Sequence, residues 1–273
     1  MKPSTKDKDV SVVVPVHNEE EILDQCLVSV RKQKVGEIIV VLDRCEDESE
    51  KIAKKHADED PRIKIFFLHE HKFKTNYLAE TANFGIAKAQ NEVICIAEAD
   101  TLFERNYVSS LLSHLKKPVV SVSGKLVCLY KRFLQFFETV GGTGRLFLRQ
   151  VWEETGGFQD IIACDTFFDM ELMKRGYEIK VITEAIMYDV RNYSMKQLAR
   201  RAIRRGKGRK QIGQSFIFMI GHGLYYLTRT PFGIVVLIAN VAGYLTTYRR
   251  APRENMRRYE IKRIKEIIRK LTR

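Results

Sequence analysis

Cysteine is scarce in this chain, and its arrangement argues against two kinds of stabilising site. The five cysteines stand at positions 26, 45, 95, 128 and 164, and none belongs to a C-x-x-C pair. Zinc sites and disulfide frameworks both need cysteines in pairs or at regular spacings. The sequence therefore indicates a protein of a reducing compartment, without a structural zinc site or a disulfide scaffold.

Glycine-rich phosphate loops are also missing. No G-x-G-x-x-G follows the first apolar run, and no G-x-x-x-x-G-K-[ST] occurs in the 273 residues. Rossmann dehydrogenases and P-loop proteins hold phosphates through the backbone N–H groups of such loops. Nucleotide phosphates bound by this chain would need another partner, and a divalent cation held by carboxylates is the natural substitute.

Acidic residues are rare towards the C-terminus. Residues 196–273 contain 20 Lys and Arg against 3 acids, whereas residues 1–195 contain 27 basic and 31 acidic residues. A near-neutral body is thus followed by a basic region, which suggests nucleic acid or an anionic membrane surface as a partner. The aromatic residues of this region lie mostly within long apolar runs and are not interleaved singly with Lys and Arg in the way of a nucleic-acid platform. This arrangement favours a membrane, and no nucleic acid is expected.

Strands and helices are predicted to alternate in the body. Apolar runs typical of strands buried on both faces lie at 10–16, 37–42, 63–68 and 92–97. Segments with apolar residues at helical spacing lie between them, at 19–33, 47–58 and 77–90. This alternation predicts an α/β fold, with a mostly parallel, Rossmann-like central sheet and helices on both faces.

Polar residues follow three of these strands, at the sheet edge where α/β proteins bind ligands. They are His17-Asn18-Glu19, Asp43-Arg44 and the acid-x-acid pair Glu98 and Asp100. The pair can hold a divalent cation, or it can be a solvated turn in which Asp100-Thr101 caps the next helix. His69 and His71 are interpreted as a solvated strand end.

Five segments, in this order, resemble the motifs of glycosyltransferase family 2, whose members have the GT-A fold. They are SVVVPVHNEEEILDQCLVSVRKQ, EIIVVLDRCEDES, ANFGIAKAQNEVICIAEADT, GRLFLRQVWEETGGFQD and CDTFFDMELMKRGYEI. The resemblance extends from about residue 9 to residue 206. It implies an enzyme that transfers a sugar, with inversion, from a nucleotide-diphosphate donor to an acceptor hydroxyl or phosphate.

The resemblance also implies roles for particular residues. Asp100 matches the ligand of Mg²⁺ or Mn²⁺, and Asp189 stands near the position where many relatives have a metal-facing His. Asp165 matches the catalytic base, although it could instead be a helix N-cap, and Cys164 stands where the family usually has an acid. Asp47 is either a helix cap or part of the nucleotide pocket. The residues expected at the nucleotide sugar are Pro15, His17, Asn18, Glu19, Asp43, Asn83, Glu98 and Arg204.

Two apolar runs, 216–228 and 231–248, interrupt the basic region. The second has 18 residues without a charge, which is about 27 Å as a helix and barely enough to span a bilayer. With basic flanks on both sides, a hairpin over about 212–248 that enters from the cytoplasmic side is expected. A single span, a re-entrant pair, or buried helices of a soluble domain are alternatives. Residues 257–271 predict a basic amphipathic helix.

The predicted organisation is a GT-A catalytic domain over 1–206 and a basic C-terminal region over 207–273. A membrane-attached enzyme on the cytoplasmic face is expected, with an acceptor that could be lipid-linked or a polyprenyl phosphate. The competing hypothesis is a non-catalytic GT-A-like module whose basic tail binds RNA or lipid. The acids at positions 43, 100 and 165 favour the enzyme.

Overall fold

A single mixed sheet organises the N-terminal part of the chain. The computed structural model describes residues 10–128, 142–191, 193–227, 233–249, 256–261 and 264–265. The strands are β1 (Val10–Val16), β2 (Glu37–Asp43), β3 (Ile63–Leu68), β4 (Val93–Ile96), β5 (Thr101–Phe103), β6 (Val119–Cys128), β7 (Arg145–Leu148) and β8 (Glu178–Asp189). The helices are α1 (Leu23–Arg31), α2 (Ser49–Glu59), α3 (Tyr77–Lys88), α4 (Tyr107–Leu112), α5 (Arg149–Thr155), α6 (Cys164–Lys174), α7 (Met195–Gln211), α8 (Phe216–Leu227) and α9 (Gly233–Leu245).

The strands lie in the order β3-β2-β1-β4-β7-β6-β8-β5. The first four are parallel to one another, as are β6 and β8, whereas β7 runs antiparallel to both of its neighbours and β5 runs antiparallel to β8. All residues of β1, β2 and β4 are buried, which explains why these strands consist mostly of apolar residues without regular polar alternation. The predicted mostly parallel α/β sheet is confirmed.

The chain divides into two compact units. The first comprises Met1–Asp160 and Gly176–Arg191, and the second comprises Ile161–Arg175 and Asn192–Arg273. The largest apolar core belongs to the first unit and includes Val12, Leu27, Val40, Leu111 and Leu146. A smaller core in the second unit joins α6 and α7 to residues 256–261 through Met170, Ile212 and Met256. The predicted functional boundary after Gly206 stays a prediction.

The two apolar runs of the basic region form α8 and α9, which contact each other through the rings of Phe216 and Tyr244, 5.6 Å apart. Within the described part of the chain, no helix is both long and apolar enough to cross a membrane. The predicted membrane-spanning hairpin is therefore not supported by these residues. As described, α9 has 13 residues, or about 20 Å, against a bilayer core of ~30 Å. Of the predicted terminal helix, only residues 257–261 and 264–265 are described, and they are helical.

Candidate active site

The acid-x-acid pair lies where β4 ends and β5 begins. Thr101, the first residue of β5, pairs with Asp189 at the end of β8, and the N–H of Val190 donates to the carbonyl oxygen of Asp100 at 3.2 Å. The structure therefore brings Asp100 and Asp189 to neighbouring strand ends. Since Thr101 starts a strand, the alternative in which Asp100 caps a helix is wrong.

A short hydroxyl ladder holds this turn. The N–H of Glu98 donates to the hydroxyl of Thr143 at 3.1 Å, and that hydroxyl donates to the hydroxyl of Thr101 at 2.9 Å. Ala99, between the two acids, is buried. The side chain of Asp100 is only 13% exposed. The pair is thus built into the sheet edge and is not a solvated turn.

Arg191 is the partner of this acid group that sequence analysis missed. Its Nε donates to Oδ2 of Asp100 at 3.0 Å, and its Nη2 donates to Oε2 of Glu19. The backbone N–H of Arg191 also donates to Oδ1 of Asp189 at 3.0 Å. One cationic residue therefore connects the ends of β1, β4 and β8.

The charges of this group are balanced by Arg191. Burial alone would lower the pKa of Arg191, but Glu19 and Asp100 outweigh it and raise the pKa, so the guanidinium is always charged. Burial raises the pKa of Glu19, Asp100 and Asp47 add to the increase by repulsion, and Arg191 opposes it. Carboxylates held this close together need positive charge among them, which Arg191 supplies.

The donor set suits a hard divalent cation only if a substrate completes it. No group of three or more His, Cys, Asp or Glu residues that could hold a metal ion occurs among the described residues. Asp100 and Asp189 offer carboxylate oxygens, the ligands that Mg²⁺ and Mn²⁺ accept. Mg²⁺ is commonly bound by one or two carboxylates together with phosphate oxygens of a substrate. The residues present fit such a shared site and not an all-protein cage.

A second network surrounds Asp43 at the end of β2, and its centre is His71. Nε2 of His71 lies 2.8 Å from Oδ1 of Asp43, and Nδ1 lies 2.8 Å from Oε2 of Glu80. The imidazole ring therefore bridges the two carboxylates, with one ring nitrogen at hydrogen-bonding distance from each. The side chain of His71 is 4% exposed, so its interpretation as a solvated strand end was wrong.

Asp43 and Glu80 are held by further donors. Thr81 donates its hydroxyl to Oδ2 of Asp43 at 3.1 Å, and Arg44 donates Nε to Oδ1 at 3.0 Å. Burial raises the pKa of Glu80, but hydrogen bonds from the N–H groups of Lys72 and Phe73 and from His71 outweigh it and leave this pKa below its ordinary value. The network therefore fixes the loop between β3 and α3 against the end of β2.

An exposed aromatic ring borders this network. The ring of Tyr77 lies 4.5 Å from the ring of His71, and the guanidinium of Arg44 lies 5.4 Å from its centroid. Tyr77, Glu80 and Thr81 have i, i+3, i+4 spacing on α3, which places them on one helix face. That spacing, next to two histidines, was the signal in the sequence that could have revealed the network.

We predict that replacing His71 by glutamine destabilises the protein by about 3 kcal/mol, because the carboxylates of Asp43 and Glu80 lose the ring that bridges them in a largely water-excluded place. The matched control is His114→Gln: His114 also faces a carboxylate, that of Glu184, but this pair is 3.7 Å apart and exposed. Its loss should cost no more than about 0.5 kcal/mol. Urea denaturation of both variants measures the difference, and equal losses would contradict the assigned role of His71.

The loop after β1 is fastened to the loop after β2. Pro15 is buried within β1, while His17 and Asn18 are exposed. Nδ1 of His17 lies 2.6 Å from the carbonyl oxygen of Asp43, and the side-chain oxygen of Asn18 accepts from the N–H of Glu46 at 2.8 Å. The predicted nucleotide-binding residues from 15 to 19 thus lie beside Asp43, and their contacts with a ligand stay a prediction.

Asp47 braces the short segment that leads into α2. Its Oδ1 accepts from the N–H of Ser49, the first residue of α2, and its Oδ2 accepts from the N–H of Glu20, both at 3.0 Å. Burial raises the pKa of Asp47, but these hydrogen bonds lower it further than burial raises it. Asp47 directly precedes Glu48, the N-cap of α2, and its carboxylate holds the start of this helix and the loop after β1, while its place in the nucleotide pocket stays a prediction.

Asn83 braces the loop that follows α5. Its side-chain oxygen accepts from Nε1 of Trp152 and from the N–H of Phe158, both at 2.9 Å, and its Nδ2 donates to the carbonyl oxygen of Phe158 at 2.7 Å. The side-chain amide is therefore occupied within the protein. It positions the turn at 156–158, within the fourth of the five segments that resemble the family's motifs.

Asp165 and Arg204 both belong to the second unit. Helix α6 begins at Cys164 with Ala163 as its N-cap, so Asp165 lies in the first turn and is not the cap. The N-terminus of α6 is held by α7, because the N–H of Ile162 donates to Oε1 of Gln211 at 2.9 Å. Arg204 is an exposed residue of α7. The roles of Asp165 and Arg204 stay predictions.

Comparison with known proteins gives consistent matches. The family model described as Glycosyl transferase family 2 matches residues 11–160. The "Probable glycosyltransferase YdaM" of Bacillus subtilis is 26% identical over 243 residues, which cover 76% of this chain and 57% of that protein. The "Glycosyltransferase GlyG" of Streptococcus pneumoniae is 29% identical over 110 residues, covering 40% of this chain and 35% of that protein. The chain thus spans only part of the length of these relatives, 57% of the first and 35% of the second.

Solved structures agree on the fold. The mannosyltransferase PcManGT from Pyrobaculum calidifontis, in complex with GDP-Man and Mn²⁺, has a TM-score of 0.61 at 18% identity, covering 87% of this chain and 70% of that one. Residues 1–349 of TarS from S. aureus, in complex with UDP-GlcNAc, have a TM-score of 0.59 at 14% identity, covering 90% and 82%. At such identities the likeness shows the fold, and the predicted GT-A architecture is confirmed.

Proposed function

Because the chain belongs to glycosyltransferase family 2, we propose that it transfers a sugar from a nucleotide-diphosphate sugar to an acceptor with inversion at the anomeric carbon. The observation that carries this proposal is the edge of the sheet where Asp100, Asp189, Glu19 and Arg191 converge. It combines carboxylates for a divalent cation with a guanidinium suited to a diphosphate.

Each group has a defined task in the proposed reaction. Asp100 and Asp189 would hold Mg²⁺ or Mn²⁺, which stabilises as a Lewis acid the charge that develops on the leaving diphosphate. Arg191, which is charged and already lies at Asp100, offers paired N–H groups to the diphosphate oxygens. Arg204 offers a second such group. Asp43 and the residues from 15 to 19 form the proposed pocket for the nucleoside.

The transfer itself needs a base and an in-line attack. The acceptor oxygen attacks the anomeric carbon from the side opposite the diphosphate, the bond from that carbon to the diphosphate oxygen breaks, and Asp165 takes the acceptor's proton. A position in the first turn of α6 favours a carboxylate over a carboxylic acid, because helix N-termini carry partial positive charge.

The acceptor is proposed to be lipid-linked, for example a polyprenyl phosphate, at the cytoplasmic face of a membrane. Support comes from the basic composition of residues 196–273, with 20 Lys and Arg against 3 acids. An anionic membrane surface attracts such a region at about 1 kcal/mol per cationic residue close to it. Nucleotide sugars are available on the cytoplasmic side.

Calorimetric titration with UDP and GDP, each with and without Mn²⁺, tests the donor part of the proposal. PcManGT was solved with GDP-Man and Mn²⁺ and TarS with UDP-GlcNAc, so both nucleotides are reasonable probes. We expect one of them to bind, and to bind at least tenfold more tightly with the metal, because the ion would link its diphosphate to Asp100. Failure of both nucleotides to bind in the presence of Mn²⁺ would contradict the enzyme and favour a non-catalytic module.

A further inference from the structure

Helices α8 and α9 expose apolar side chains along one face of each. On α8, Ile217 and Leu224, seven residues apart, are 85% and 51% exposed. On α9, Ile234, Ile238 and Leu245 are 67%, 63% and 67% exposed, and their spacing of four and seven residues follows the helical repeat. A water-facing helix ordinarily carries polar residues at these positions, so these five residues, called here the α8–α9 face, are fitted for an apolar environment.

The packing of α9 on α7 keeps the α8–α9 face outward. A Cβ atom added to Gly206 of α7 would lie 2.0 Å from the carbonyl oxygen of Asn240, and one added to Gly243 of α9 would lie 2.0 Å from the carbonyl oxygen of Ile203. The two backbones therefore approach as closely as only glycine allows. Tyr244, on the same inner side of α9, is also buried and donates its hydroxyl to the carbonyl oxygen of Gln214 at 2.6 Å. Rotation of α9 to bury Ile234 and Ile238 would break this contact.

Cationic residues border the face. A cleft of about 420 Å³ beside it is lined by Phe216, Ile217 and Leu245 together with Lys210 and Arg249. The Nζ atom of Lys210 lies 4.6 Å from the ring centroid of Tyr244, which holds the ammonium group at the cleft. Apolar side chains bounded by Lys and Arg match the acyl region and the phosphate level of an anionic bilayer.

We propose that the α8–α9 face docks on the surface of an anionic lipid bilayer, lying in the interface with Lys210 and Arg249 at the level of the lipid phosphates. This inference rests on the proposed membrane location of the acceptor, but it concerns a different surface from the sheet edge. A second copy of the chain is a poorer occupant of this face. Its docking would bring together two copies of residues 196–273, each with 20 basic residues and only 3 acids. Such strongly positive regions repel each other.

Vesicle flotation of the full chain tests the proposal without any nucleotide. The protein is mixed with vesicles of phosphatidylcholine alone, or of phosphatidylcholine with an equal amount of phosphatidylglycerol, at low and high salt. We expect flotation with the anionic vesicles, weakened by salt because the cationic contribution is screened. The double variant Ile217→Gln/Ile238→Gln should lose about tenfold or more of its partitioning, and Lys210→Gln/Arg249→Gln about tenfold with the anionic vesicles only.

Matched controls come from the first unit. Val28 of α1 and Phe67 of β3 are exposed apolar residues, and Lys51 and Lys54 are exposed cationic residues of α2. Their glutamine variants should float like the wild type. If Ile217→Gln/Ile238→Gln lowers the melting temperature, Ile234→Gln/Leu245→Gln provides a second test of the same face.

Two results would overturn the proposal. One is wild-type protein that does not float with anionic vesicles at low salt. The other is a wild-type dimer, detected by light scattering, that becomes monomeric in the α8–α9 variants while their flotation stays unchanged. That result would show that a second copy of the chain occupies the face. Because neither measurement uses a donor or an acceptor, failure here leaves the glycosyltransferase proposal standing, and failure of nucleotide binding leaves this one standing.

Discussion

Replacing Asp100 by asparagine is expected to abolish metal-dependent nucleotide binding and to lower kcat/KM for sugar transfer about 10³-fold. Loss of a carboxylate that holds a Lewis-acidic cation removes several kcal/mol of transition-state stabilisation. Asparagine keeps the size of the side chain, and its oxygen can still accept the hydrogen bond from Nε of Arg191. The variant should therefore fold, and what it loses is the negative charge.

The measurement for Asp100→Asn is the same nucleotide titration, combined with thermal melting. In the wild type, Mn²⁺ and nucleotide together should raise the melting temperature, because a ligand that binds only the folded state stabilises it. In the variant this increase should vanish. Asp58→Asn, an exposed acid of α2, serves as the matched control and should behave like the wild type. If nucleotide binding by Asp100→Asn still depended on the metal as in the wild type, the role of the acid-x-acid pair would be purely structural.

The sequence predicts the first half of the sheet well because burial there leaves a simple pattern. Strands β1, β2 and β4 are buried on both faces, so each appears as a run of mostly apolar residues without polar alternation. Strand β8 has no such pattern. Exposed, half-buried and buried residues alternate irregularly along it, and its pairing with β6 shifts register after Gly124. Asp189 at its end was named only through the family resemblance, as a candidate metal ligand.

The missed residues of the candidate site share one property. Arg191 contacts Asp100 and Glu19 across 91 and 172 positions of the chain, and no local spacing announces contacts of that range. His71 was misread for a related reason. Its environment is made by Asp43, 28 positions earlier, and by a helix that starts after it, so that the polar segment around it looked like a loop facing water. The local sequence is a poor guide to the exposure of a charged residue when its partners lie far away in the chain.

The apolar runs of the basic region show a different limit of prediction from composition. Their composition predicted apolar helices, and α8 and α9 do expose apolar side chains. Composition does not tell what covers such side chains, because the same residues suit a lipid surface or a protein partner.

Replacing Asp165 by asparagine is expected to lower kcat by about 10²–10⁴-fold with a hydroxyl acceptor and to leave nucleotide binding unchanged. A positioned general base contributes a factor of this size, and asparagine cannot accept the proton. The residue lies in the first turn of α6, which α7 holds through Gln211 and Ile162, so the variant should keep its position. Glu184→Gln, an exposed acid of β8, is the control. Loss of nucleotide binding along with activity would show that Asp165 is structural and not the base.

The size of the Asp165→Asn effect should also distinguish the acceptor. A hydroxyl must lose its proton as it attacks, so the full loss is expected with any hydroxyl acceptor. A polyprenyl phosphate is already ionised and gives up little or no proton, so with that acceptor the same substitution should cost less than about tenfold. Release of nucleoside diphosphate, followed with each acceptor class in wild type and variant, separates the two cases. A variant that is equally impaired with both acceptors would mean that Asp165 orients the acceptor and does not deprotonate it.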